Sequence, residues 1–256
     1  MFKDLYSKLT PKTARKLLAA CYTFITIFVF ISGQIFGVLG VLIILSLAGN
    51  DLQQIINLVD NNTYVKTLVV LFVELFTLGL LYWGFKLAKK PFLSSIGLIK
   101  NFKKQHITFT VVSYVMYVLS FIFFAILLDS LIPSLDTQQT QQLGFSPPTG
   151  LEYVAVFVSL VVMPAFVEEI VFRGFLFQNI RKLISLRSAA LLTSIIFGIL
   201  HLELTGDGPL NWIAAIDTFI LSIFLISLLV QTKSLWASIL LHGIKNTVAF
   251  VFLFII

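Results

Sequence analysis

Apolar and polar positions alternate along this chain in long blocks rather than in short amphipathic periods. Seven apolar segments, at about 17–48, 66–85, 107–131, 151–181, 188–204, 211–230 and 235–256, are separated by short polar connections. About 20 apolar residues suffice for a helix to cross the hydrocarbon core of a bilayer. The pattern therefore predicts an all-α, polytopic helical membrane protein of about seven transmembrane helices, forming a single integral membrane domain over residues 1–256. The first segment is longer than a span requires, which predicts either strong tilt or a break near Ser32-Gly33-Gln34. The fourth is also long, and Pro164 inside it predicts a bend, because proline removes a backbone donor and clashes with the carbonyl four residues back. No internal repeat or low-complexity tract interrupts the series.

Composition agrees. Hydrophobic residues make up 58% of the chain and charged residues only 12%, with a mean hydropathy of +0.99, far from the values of soluble domains. The net charge of +6 would point to nucleic acid in a soluble protein. Here the basic residues sit in clusters between apolar runs, and 15 of the 18 fall on one side of the seven-span topology. Lys66 flanks the opposite side, and Arg173 and Lys245 lie within spans. By the positive-inside rule the N-terminus is cytoplasmic, with loops 49–65 and 132–150 outside. The basic connection Lys86 to Lys104 carries a short amphipathic piece, Ile96 to Phe102, suited to the inner membrane surface. The partner is thus a lipid bilayer, not nucleic acid. The first apolar run is too long for the h-region of a cleaved signal peptide, which predicts that it is retained. Cys21 is the sole cysteine, so neither an intramolecular disulfide nor a cysteine-based metal site can form. The short loops fit a bacterial cytoplasmic membrane.

The charges left inside the spans need a reason, since each unpaired one costs at least about 2.5–3.5 kcal/mol at the centre of a bilayer. In the fourth span stand Glu168, Glu169 and Arg173. Glu169 and Arg173 are four apart, acid first, and share a helical face, which predicts a structural ion pair. Glu168 points about 100° away and is left to face a cavity. Two of the three histidines, His201 and His242, lie in the fifth and seventh spans, and Asn246 follows His242 on the same face; His106 sits in a basic loop. Counted at 1.5 Å per residue from the basic markers, Glu168, His201, His242 and Asn246 fall within about 14–21 Å of the cytoplasmic boundary. Spans four, five and seven can therefore present them to one point. Alone, a membrane histidine is most simply a packing donor. Glu74 and Asp217 are lone mid-span acids that need a partner or a proton, with Lys245 a candidate partner for Asp217; Glu203 is expected at the interface, solvated.

Peptide hydrolysis needs a base for water, a donor or metal for the oxyanion and a proton source for the leaving amine. Glu168, the two histidines and Asn246 can supply these. No Ser-His-Asp pattern is apparent, and the His-Glu-x-x-His helix of many zinc proteases is absent. A zinc ion held by Glu168, His201 and His242 from separate helices and a metal-free, glutamate-activated water both remain open. The ordered set Glu168-Glu169-x-x-x-Arg173, Phe197-x-x-x-His201 and His242-x-x-x-Asn246 resembles the CPBP family of CAAX proteases and bacteriocin-processing enzymes, also called Abi. That family includes the Ras-converting prenyl-protein endopeptidase, and the resemblance covers about residues 150–250.

The resemblance implies an intramembrane endopeptidase acting on a membrane-associated or lipid-anchored peptide or protein. Glu168 and His201 would activate water, His242 and Asn246 would stabilise the oxyanion or join a metal site, and Glu169 with Arg173 would brace the centre. Members of the family are commonly described as metalloproteases. The competing roles are bacteriocin self-immunity or peptide maturation in the same family, a non-catalytic membrane scaffold, and a small transporter using Glu74, Glu168 and Asp217 as a relay.

Overall fold

The structure, a computed structural model, describes residues 10–98, 102–132, 144–202 and 211–256. Among these residues it is all helical, without strands. Six helices are long and apolar enough to cross a membrane, and a shorter apolar helix takes the place of the fifth span. In chain order they are α1 (Pro11–Leu47), a short α2 (Leu52–Asn61), α3 (Thr63–Leu87), a single turn α4 (Phe92–Ser95), α5 (Lys104–Leu131), α6 (Glu152–Ile180), α7 (Leu186–Ile199), α8 (Trp212–Thr232) and α9 (Leu235–Phe254).

Of the two alternatives for the first segment, the break at Ser32-Gly33-Gln34 does not occur: α1 runs uninterrupted for 37 residues. The glycine there serves contact instead. A Cβ on Gly33 would lie 1.8 Å from Thr77 Oγ1, and one on Gly37 only 2.4 Å from the Val73 Cα, so the Gly33-x-x-x-Gly37 face lets α3 lie backbone against backbone on α1. In lipid, where burial of apolar surface drives little association, such close approach is the main attraction between helices.

The connection 49–65, expected as an outside loop, contains α2. Its signal was present in the sequence: Asp51 accepts from the Gln54 N–H at 2.8 Å while Gln54 Oε1 accepts from the Asp51 N–H at 2.9 Å, a reciprocal capping box. His106 lies in the first turn of α5, buried, rather than in a loop. On the basic connection, Ile96 does not rest on lipid. It is 2% exposed and packs where α6 passes at Gly174, and the neighbouring Leu98 carbonyl accepts from the Trp236 indole of α9 at 3.0 Å.

The bundle is not uniformly enclosed. In the most apolar stretch of α8, 61% of residues are buried, against 6% for α5, so α8 is central and α5 faces lipid. Between α6 and α7 the packing is aromatic: Phe172, Phe177 and Phe197 are fully buried, and the Phe172 and Phe197 rings meet edge to face at 4.9 Å.

Candidate active site

The site is built on α6, whose helix widens twice. The π-helical turn Val158–Val162 immediately precedes Pro164, and a second, Glu169–Leu176, follows the α-helical stretch Met163–Glu168. Pro164 has no N–H for the Leu160 carbonyl four residues earlier, and the wider turn makes room for its ring. The stranded Leu160 carbonyl is met from another helix: Asn246 Nδ2 of α9 donates to it at 3.1 Å. Asn246, expected at the oxyanion, thus spends one amide N–H on the backbone of α6 and keeps the other.

Glu169 and Arg173 form the expected pair. Arg173 Nη1 donates to Glu169 Oε1 at 2.9 Å, and both side chains are wholly buried. Two further contacts extend the pair. Glu169 Oε1 also accepts from His242 Nδ1 at 3.0 Å, and the Arg173 guanidinium stacks 4.3 Å from the centre of the Phe197 ring. A carboxylate can only accept, so the His242 proton lies on Nδ1 and Nε2 is turned outward with its lone pair in the neutral ring. The bond joins His242, expected in the chemistry, to Glu169, expected in the scaffold.

Glu168 takes the opposite course. No protein group hydrogen-bonds its buried Oε2, which lies 3.8 Å from His201 Nε2. His201 sits just past the C-terminus of α7, where its Nδ1 donates to the Phe197 carbonyl at 2.7 Å. The carbonyl cannot donate, so Nε2 again carries the lone pair and points toward Glu168. At 3.8 Å the two are too far apart for a direct bond but close enough to hold one water between them. Glu168, His201, His242 and Asn246 all line one cavity of about 170 Å³. The common depth expected from helical rise is therefore a common cavity.

Glu168, His201 and His242, the ligands expected if a metal is bound, line one cavity. Among the described residues no three His, Cys, Asp or Glu side chains are grouped to hold a metal ion. His242 Nδ1 is engaged by Glu169, which leaves Nε2 as its free ring nitrogen.

The remaining intramembrane charges are placed as follows. Lys245 lines the same cavity and pairs with Asp217 at 3.2 Å, as its position suggested, and Asp217 also accepts from the Tyr117 hydroxyl of α5. An acid held by a lysine and a phenol is poorly suited to a proton relay. Glu74 on α3 is buried, with no protein partner for Oε2. Glu203 lies outside the described residues.

Fold and site together define a class: a polytopic membrane protein with an acid–imidazole centre inside its helix bundle. Residues 150–248 match the family model described as Type II CAAX prenyl endopeptidase Rce1-like. This region, α6 to most of α9, is therefore similar to that family of prenyl endopeptidases, in agreement with the resemblance its motifs carry. No curated protein and no solved structure matches the chain.

Proposed function

We propose that the chain is an intramembrane endopeptidase of CAAX type that cuts a membrane-associated or lipid-anchored peptide with a water activated by Glu168 and His201. The observation that carries this reading is the pair itself: a buried carboxylate oxygen without a protein partner, facing an imidazole nitrogen across 3.8 Å at the edge of a cavity. Glu168 takes a proton from the water as its oxygen attacks the scissile carbonyl, and returns that proton to the leaving amine. His201, held in one tautomer by the Phe197 carbonyl, orients the water. The free N–H of Asn246 donates to the oxyanion, with the His242 ring beside it on the same cavity. Glu169 fixes the His242 ring through Nδ1.

The site belongs to the cytoplasmic half of the membrane, with the N-terminus inside. Support comes from the helix ends: Lys12, Arg15 and Lys16 of α1, Lys90 after α3 and Lys182 after α6 line one cleft, as expected if all three ends reach the same surface. A substrate helix must unwind to expose a peptide bond, so cleavage falls in a cytoplasmic juxtamembrane segment or at the inner end of a span.

The test is proteolysis by purified protein in nanodiscs. Lipid-anchored and single-span peptides are offered, and the products mapped by mass spectrometry. The expected cut is near the cytoplasmic boundary and disappears with Glu168→Gln. Cleavage that survives this substitution, or that falls reproducibly in an outside segment, would sink the proposal.

A further inference from the structure

A second cavity, of about 300 Å³, lies between α1, α3 and α6 and shares no lining residue with the Glu168 cavity. Its α1 and α3 walls are largely apolar, with Ile25 and Val29 of α1 and Leu81 and Phe85 of α3, while Ser95 and Gln178 add polar groups. At Tyr22, Lys90, Asn179 and Lys182 it joins a wider cleft of about 790 Å³, to which α1 contributes Lys12, Arg15 and Lys16. No carboxylate lines either space among the described residues. The result is five basic side chains around an apolar pocket, where the three helices reach their basic ends.

Among the described residues no acid lines the cleft to balance these cations. Lys90 Nζ lies 3.3 Å from the Tyr22 hydroxyl and 4.5 Å from the centre of its ring, and Lys182 Nζ donates to Asn179 Oδ1 at 3.0 Å. Both partners are neutral. Burial, reinforced by the nearby charges of Lys90 and Arg181, holds the Lys182 ammonium below its usual range, so an anion placed here would relieve a real repulsion. The space beneath is open as well: a Cβ on Gly84 would meet nothing within 4 Å.

We propose that this cleft is a binding site for one anionic phospholipid, its phosphate between Lys90 and Lys182 with Arg15 above, and an acyl chain in the pocket walled by Ile25, Val29, Leu81 and Phe85. Charge alone would suit any phosphate. The apolar pocket opening directly under the cations selects a phosphate that carries a hydrocarbon chain. Each basic residue near an anionic headgroup adds roughly a factor of five in affinity.

The experiment is native mass spectrometry of the full chain in detergent, titrated with phosphatidylglycerol, phosphatidylcholine, glycerol phosphate or inorganic phosphate. One phosphatidylglycerol is expected to bind about tenfold or more tighter than phosphatidylcholine. The two headgroup fragments should compete poorly. Lys90→Gln with Lys182→Gln should weaken phosphatidylglycerol about 25-fold. Gly84→Leu, which fills the pocket and leaves every charge in place, should exclude the lipid. Thermal unfolding without added lipid should match wild type for both variants, so that a loss of binding is not a loss of fold. Equal binding of the two lipids, a graded series of many bound lipids, full competition by glycerol phosphate, or unchanged binding to Gly84→Leu would each overturn the proposal.

Discussion

Glu168 and Glu169 are neighbours in the chain, identical in chemistry and equally deep in the bundle, yet they occupy two different environments. Around Glu169 the site is closed: one carboxylate oxygen serves Arg173 and His242, and the Glu169 and Arg173 side chains are wholly buried. Around Glu168 it is open: the carboxylate and His201 are 13% and 21% exposed, with no direct bond between them. The difference comes from about 100° of helical rotation, which turns one carboxylate into the packing and the other into a cavity. A buried charge with partners holds a structure together, whereas one that faces a small wet space can exchange a proton.

The comparison breaks if the two glutamates fail alike. Glu168→Gln should lower cleavage by about 10³–10⁴-fold while leaving the detergent unfolding temperature near wild type, because the isostere removes a base and no protein bond. Arg173→Ala should act in the other way, costing about 3–5 kcal/mol of stability by stranding Glu169, with activity lost through the fold. Thermal unfolding alongside a cleavage assay separates the two, and a Glu168→Gln protein as unstable as Arg173→Ala would abolish the distinction.

Asn246 straddles the two regions and sharpens their border. Asn246→Leu frees the Leu160 carbonyl at a cost of about 1–3 kcal/mol. If its second N–H also meets the oxyanion, kcat falls about 10²–10³-fold beyond any change in folded fraction. A loss confined to stability would place Asn246 wholly in the scaffold. The smallest effect is expected far from the site. Gly37→Ala forces α1 away from Val73 and should cost about 1–3 kcal/mol, with kcat of the folded protein unchanged.

Much of this arrangement was legible beforehand. Apolar runs placed the long helices to within a few residues, and an acid–base spacing of four gave the Glu169–Arg173 pair, since both depend on local geometry. Helical rise from basic boundary markers brought Glu168, His201, His242 and Asn246 to one depth, and the structure brings them to one cavity. The capping box of α2 is legible at Asp51 and Gln54, although the polar composition of 49–65 predicts a plain loop. Pro164 announced a disturbed helix, but not that Asn246 would reach across to the Leu160 carbonyl that it strands.

Sequence by itself determined which segments are long and apolar enough to enter the membrane and which polar residues share a depth. Transfer into a bilayer is close to a residue-by-residue sum, and depth follows from a fixed rise per residue. Tertiary structure alone decided what each of those residues touches. His242 closes on Glu169 through Nδ1, and Phe197 lies under Arg173 while its carbonyl orients His201. Those contacts join α6, α7 and α9, and they depend on how helices rotate about their axes when packed, which no single segment encodes.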